Sequence, residues 1–200
     1  MIKPNLFFPT PVWTIQLENY KTINEEMYSF IKEQQLKDQV GINKSNLKGW
    51  HSEDFNLNDR QPQNFISFIY SSIEQVMHDM NWDKKKQIVK INNMWAIVNT
   101  GGSANLRHQH GNSTISGAYY VRAPEKAGDI VFYDPRPAPI YSYPKAVSPN
   151  SLNAQVNGIS PKEGALVLFP SYLDHSVDEN RSNEERIVIS FNITVQLKTS

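Results

Sequence analysis

The chain has 200 residues, with 20 basic and 20 acidic side chains and no cysteine. That length suits one domain with a core of its own, and the missing thiols exclude disulfides, thiolate metal sites and a cysteine nucleophile. Zero net charge offers nothing to hold nucleic acid or an anionic membrane, so neither is expected as a partner.

The opening residues carry no signal-peptide-like apolar run and no later stretch approaches a membrane span, so a soluble, cytoplasmic protein is expected. Residues 12–17, Val-Trp-Thr-Ile-Gln-Leu, read as a short strand. Thr22 and Glu25 fit a capping box, and Ile23, Met27, Phe30 and Ile31 recur at helical spacing, which predicts an amphipathic helix to about residue 38. Residues 41–62 are polar and irregular, a loop length that usually serves function. A second helix is predicted over 63–80, with Phe65, Ile69, Ile73, Val76, Met77 and Met80 as its buried stripe. His78, beside Asp79, falls on its exposed side.

From about residue 90 the period becomes that of strands. Residues 91–98, 113–122, 129–134, 165–169 and 186–197 are short, β-rich and bounded by Gly, Pro or Asn. Residues 135–161 are rich in Pro, Tyr and Ser and predict a long loop near the mouth, with one extended segment around 152–156. Two helices before such a run suggest a β-sandwich or barrel with the helices packed outside. The whole is expected to be one domain, residues 1–89 giving helical support and a loop, residues 90–200 the β core. In the last strand Ile187, Ile189, Phe191, Ile193, Val195 and Leu197 alternate with Arg186, Val188, Ser190, Asn192, Thr194 and Gln196. One reading leaves the polar face in solvent; the other turns it, Arg186 included, into a barrel that holds a ligand.

Metal chemistry is suggested by His108-Gln109-His110 and by the later His175. In an extended stretch, residues two apart share a face, so His108 and His110 aim their imidazoles at one point. Gly102 stands six residues before His108, and Gly164, Pro170 and His175 have the spacing Gly-x5-Pro-x4-His. Together these match the two-part pattern of cupin-like double-stranded β-helix proteins. The glutamate usual a few residues after His-x-His is missing, since Thr114 and Ile115 stand there. Three imidazoles, or two imidazoles and a carboxylate, remain as ligand sets with open positions.

A closer resemblance rests on residues 6–13, 45–52, Met94-Trp95-Ala96, His108-Gln109-His110, Ser116-Gly117-Ala118-Tyr119-Tyr120, Asp134-Pro135-Arg136, Phe169-Pro170-Ser171 with His175, and Arg186 through Asn192. In these the chain resembles a small subgroup of the 2-oxoglutarate and Fe(II)-dependent oxygenases found in bacteria and their phages. The resemblance implies a mainly β double-stranded β-helix (jelly roll) with N-terminal α-helices, and a dioxygenase that hydroxylates a small-molecule or peptide substrate while 2-oxoglutarate becomes succinate and CO2. It makes His108 the first metal ligand, His175 the distal one and Arg186 the anchor for the far carboxylate of 2-oxoglutarate. His110 stands where the superfamily carries a carboxylate, which implies a three-histidine set, with Asp134 and Asp174 as fallback carboxylates. Val188 occupies the serine position of the usual Arg-x-Ser, while Ser190 keeps the parity of Arg186; Asn99 reads either as a strand-end turn former or as a co-substrate contact from a neighbouring strand. Substrate-side candidates are Trp50 and His51 in the first long loop, Tyr119, and Arg136 opening the second. Tyr119, Tyr120 and Trp95 also read as barrel packing. Exposed strands or the N-terminal segment leave room for a homodimer. The rivals are a cupin-type three-histidine enzyme without 2-oxoglutarate and a binding module without turnover.

Overall fold

The computed structural model describes residues 3–136 and 144–198. In chain order the elements are β1 Trp13–Gln16, α1 Tyr20–Lys37, β2 Asn46–Leu47, β3 Trp50–His51, α2 Arg60–Asp79, β4 Gln87–Asn99, β5 Ala104–His108, β6 Ile115–Arg122, β7 Ile130–Tyr133, β8 Val156–Ile159, β9 Ala165–Pro170, β10 His175–Val177 and β11 Arg186–Leu197. They build a six-stranded sheet of order β1-β9-β6-β11-β4-β3 and a five-stranded sheet of order β2-β5-β10-β7-β8, each with antiparallel neighbours. Two facing antiparallel sheets of this order form a double-stranded β-helix with the helices on one outer face.

The alternation in β11 sorts the two faces. Ile187, Ile189, Phe191 and Ile193 join Met27 and Ile31 of α1 and Phe65, Ile69 and Ile73 of α2 in the larger apolar core. Arg186, Val188, Ser190 and Asn192 turn instead into the space between the sheets. Pairing in register carries the parity to β6, where Tyr120 lies opposite Val188 and Tyr119 opposite Ile189. Tyr119 therefore belongs to the helix-side core, and its hydroxyl donates to Asn24 Oδ1 of α1 at 2.6 Å. Asn24 Nδ2 in turn donates to Val121 O at 2.9 Å, so a buried polar pair pins α1 to the sheet.

Several boundaries differ from the sequence expectation for local reasons. α1 begins at Tyr20, because Asn19 takes a left-handed φ of 54° and starts the helix two residues before Thr22, with no side-chain cap bond. α2 begins at Arg60 and holds Pro62 in its first turn, where a missing N–H leaves no intrahelical bond unmade. The loop 41–62 contains β2 and β3, joined through Lys48 and Gly49 at φ 54° and 68°, the left-handed pair that a tight hairpin turn uses. Those strands nevertheless join different sheets: β2 pairs with β5, and β3 pairs with β4. A side chain at 49 would also press a Cβ to 2.5 Å from Asn99 Oδ1, so glycine is required there twice over. The extended segment expected around 152–156 is corrected to β8 at Val156–Ile159, preceded by a turn in which Asn150 Oδ1 accepts from Leu152 N. Residues 137–143 of that long loop lie outside the described residues. No helix among the described residues is long and apolar enough to cross a membrane.

Candidate active site

The two sheets enclose a cavity of about 610 Å³. On one wall His108 ends β5 and His175 begins β10, and the two are direct cross-strand partners. His110 lies two residues past the end of β5; its backbone N–H bonds Ser171 O at 2.9 Å, which turns its ring back toward the other two. Ring centroids are 4.3 Å apart for His108–His175, 5.1 Å for His110–His175 and 5.2 Å for His108–His110. One nitrogen from each falls within 4.8 Å of the others, the single such cluster of ligand groups among the described residues. A cation drawing each nitrogen to ~2.1 Å would close that spacing.

The δ nitrogens are all occupied. His108 Nδ1 bonds Leu106 O at 2.7 Å, His175 Nδ1 bonds Leu173 O at 3.0 Å, and His110 Nδ1 bonds Asn192 Oδ1 at 2.6 Å. Carbonyl oxygens only accept, so each Nδ1 carries the proton and each Nε2 keeps a lone pair for a metal. Burial pushes all three imidazoles below the ordinary histidine value, and repulsion from neighbouring imidazoles adds to it at His110 and His175; His175, packed 4.7 Å from the Phe169 ring, falls to about 3. They are neutral at pH 7, as ligands must be. The fallback carboxylates are engaged elsewhere: Asp174 takes both Arg107 Nε and Nη2, at 2.9 and 2.6 Å, and Asp134 pairs with Arg136 at 2.8 Å. Three histidines are thus the ligand set that the geometry offers.

Arg186 lines the same cavity at 1% exposure. Its Nη1 donates to the backbone carbonyls of Ala127, Gly128 and Asp178, while Nη2 is buried with no partner. Burial lowers its pKa and Tyr120 and Asp178 raise it again, and a guanidinium stays charged throughout. It has no ion-pair partner among the described residues. A buried cation with a spare donor and no anion is a cradle for a carboxylate.

Ser190 and Asn99 line the cavity too, Asn99 opposite Arg186 in the β4–β11 register. Among the substrate-side candidates, His51 lines the cavity and stacks on Trp95 with centroids 5.7 Å apart and planes 8° from parallel. Trp50, Tyr119 and Arg136 do not line it. Trp50 is in the helix-side core with Nε1 donating to Asp38 O at 2.7 Å, because β3 turns alternate residues to opposite faces. Arg136 pairs with Asp134 outside the cavity. Tyr120, expected as packing, is on the cavity wall, and burial pushes its hydroxyl well above the usual tyrosine value. Counting parity back from Arg186 through the β11–β6 pairing is the signal that separates Tyr120 from Tyr119. Trp95 also lines the wall.

The model of a family described as "Putative 2OG-Fe(II) oxygenase" matches residues 93–192, half of the chain. The chain belongs to this family. The oxygenase is accordingly an enzyme that uses Fe(II) and 2-oxoglutarate, and the three Nε2 lone pairs and the unpaired Arg186 donor suit those two groups. No curated protein matches its sequence. Solved structures share its fold at low identity. A prolyl-4-hydroxylase from Pseudomonas putida gives a TM-score of 0.62 at 9% identity over 92% of each chain. The viral collagen prolyl hydroxylase of Paramecium Bursaria Chlorella virus-1, in a 2OG complex, gives 0.59 at 13% identity over 91% of this chain and 94% of its own. HygX from Streptomyces hygroscopicus, solved with nickel, 2-oxoglutarate and hygromycin B, gives 0.63 at 10% identity over 92% of the oxygenase and 83% of its own chain.

Proposed function

We propose that the oxygenase hydroxylates a small molecule or peptide side chain admitted to the cavity, converting 2-oxoglutarate to succinate and CO2. The observation that carries this reading is the convergence, in one cavity, of three imidazoles with free ε nitrogens and a buried guanidinium with an unspent donor. Bound Fe(II) supplies the activation of dioxygen that couples loss of CO2 to oxidation of a substrate C–H bond.

The chain's own residues bind and orient. His108, His110 and His175 would hold the iron through Nε2 as neutral ligands. Arg186 donates from Nη2 to the far carboxylate of 2-oxoglutarate, with Tyr120 on the same wall. Nη1 is held by three carbonyls, so the guanidinium plane is fixed before the co-substrate arrives. Asn99, opposite Arg186, adds to the polar lining at that end, and Ser190 lines the same cavity further along β11. Phe169 and Phe132, with centroids 4.7 and 6.2 Å from His175, put apolar surface against that ligand. His51 and the indole of Trp95 form the substrate side, where the stacked pair gives a flat wall.

The test is anaerobic loading with Fe(II), then 2-oxoglutarate, then air, with bound iron and succinate measured together. One iron per chain and succinate production are expected. Loss of iron in His175→Ala and loss of succinate in Arg186→Ala are expected as well. Iron retained by the double variant His108→Ala/His175→Ala would sink the assignment.

A further inference from the structure

His108 and His175 take their Nδ1 partners from the backbone two residues earlier, Leu106 O and Leu173 O, acceptors that any sequence would provide. His110 departs from this pattern. Its Nδ1 partner is the side chain of Asn192, 82 residues later on β11, at 2.6 Å. The orientation of that amide is itself fixed from both ends. Asn192 Nδ2 donates to Asn93 Oδ1 at 3.1 Å, and Asn192 Oδ1 also accepts from Ser116 Oγ at 2.7 Å. Ser116 Oγ is 2.8 Å from Ser171 Oγ and 3.1 Å from His110 Nδ1. With Ser116 donating to Asn192, Ser171 donates to Ser116, and every hydrogen in the chain points toward Asn192 Oδ1. Reversing the Asn192 amide alone would set its Oδ1 against Asn93 Oδ1 and its Nδ2 against His110 Nδ1.

We infer that Asn192 is a positioning residue: it selects the His110 tautomer protonated at Nδ1 and thereby presents Nε2 to the metal, doing by side chain what the backbone does for the other two ligands. The inference rests on the three-histidine reading of the centre. It identifies what a histidine needs in order to stand at a position where the superfamily carries a carboxylate. A carboxylate offers lone pairs on both oxygens, whereas a neutral imidazole offers one at Nε2 only in the tautomer that carries the proton on Nδ1. Asn192 and Ser116 are cross-strand partners in the β11–β6 ladder and Asn93 is opposite Asn192 in β4, so the device is built across three strands of the rigid sheet.

The experiment uses the full chain without metal and then with Co(II) alone. In the metal-free wild type, nitrogen-15 NMR of the imidazoles is expected to give His110 a protonated Nδ1 and a bare Nε2; a protonated Nε2 at His110 overturns the inference without any variant. In calorimetric titration, Asn192→Leu, which keeps the volume and removes the acceptor, is expected to bind Co(II) ~10–100-fold more weakly. Asn192→Asp, which keeps an acceptor, is expected to bind within about threefold of wild type or more tightly. Asn192→Leu binding like wild type, or Asn192→Asp as weak as Asn192→Leu in a folded protein, overturns it. Wild type that binds no Co(II) would sink the three-histidine reading instead, while the tautomer signal would still be read on the metal-free protein.

Discussion

Replacing Arg186 with lysine isolates the half of the guanidinium that the protein does not use for itself. Lysine keeps the charge and can reach the carbonyls of Ala127, Gly128 and Asp178, but its single ammonium cannot hold them and also grip a carboxylate beyond. The expected loss is about one hydrogen bond to a charged group, roughly 1.5–3 kcal/mol, which is ~10–150-fold in the Kd of 2-oxoglutarate. A thermal-shift assay makes the loss visible. At a concentration of about 100 times the wild-type Kd, the ligand stabilises wild type by ~2.7 kcal/mol, or roughly 5–10 °C in Tm for a chain of this size. At that same concentration the variant has only ~0.7–10 Kd of ligand, worth about 0.3–1.4 kcal/mol or ~1–5 °C. Anaerobic calorimetry with 2-oxoglutarate on the metal-loaded proteins supplies the affinities directly. A folded Arg186→Lys protein with wild-type affinity and a full thermal shift would refute the reasoning, because the unpaired Nη2 would then have no role in holding the co-substrate.

Three further outcomes test the frame around the site. Gly117→Ala aims a methyl group at the Phe191 ring, 2.2 Å from its nearest atom, and is expected to cost about 1–3 kcal/mol in a urea melt; an unshifted midpoint would show that the ring can move aside. Asn24→Ala strands the Tyr119 hydroxyl, while Val121 O keeps its bond from Arg122 Nη1, and is expected to cost ~1–3 kcal/mol. Pairing it with Tyr119→Phe in a double-mutant cycle should recover part of the loss, and strict additivity would deny the coupling. The third concerns pH. His175 has a folded pKa of about 3 against 6.5 for an unperturbed histidine, so between those values the unfolded chain binds a proton that the folded one does not. Metal-free stability is then complete above 6.5 and falls as pH drops through that window. From His175 alone the loss by about pH 5 is ~2 kcal/mol, with His108 and His110 adding in the same direction. Denaturant midpoints that stay level from neutral pH to about pH 5 would contradict the buried, neutral state of these rings.

Long periodic segments were legible from residues alone, and short ones were not. β11 has twelve residues whose alternation only Val188 interrupts, enough to put Arg186, Ser190 and Asn192 on one face, while whether that face meets solvent or the barrel interior is decided by the packing. α2 could be recognised from its apolar stripe, yet its start was missed by three residues because Pro62 reads as a boundary when it is in fact inside the first turn. β2 and β3 have two residues each, too few for any period, and Trp50 was consequently assigned to an open loop when pairing with β4 buries it. The Tyr119–Tyr120 pair shows a different limit. Adjacent tyrosines in a strand necessarily face opposite ways, and nothing within Ser116-Gly117-Ala118-Tyr119-Tyr120 says which is inward; the answer lies in the register with β11. The convergence of His108 and His110 was expected from the period of a strand, but His110 is outside β5 and reaches the cluster through its bond to Ser171 O, a tertiary contact that spacing does not encode.

The hairpin turn at Lys48 and Gly49 has one arm in each sheet: Asn46 and Leu47 ladder onto Asn105 and Ala104, Trp50 and His51 onto Val98 and Ile97. Mechanically this is a staple across the rim of the barrel. The sheets cannot gape at that edge unless one arm is unzipped, and its legs also bring Ser45 and His51 to the cavity wall. Widening the barrel there costs the ladder bonds of one arm, so its width at that edge is set by the backbone and not by side-chain packing.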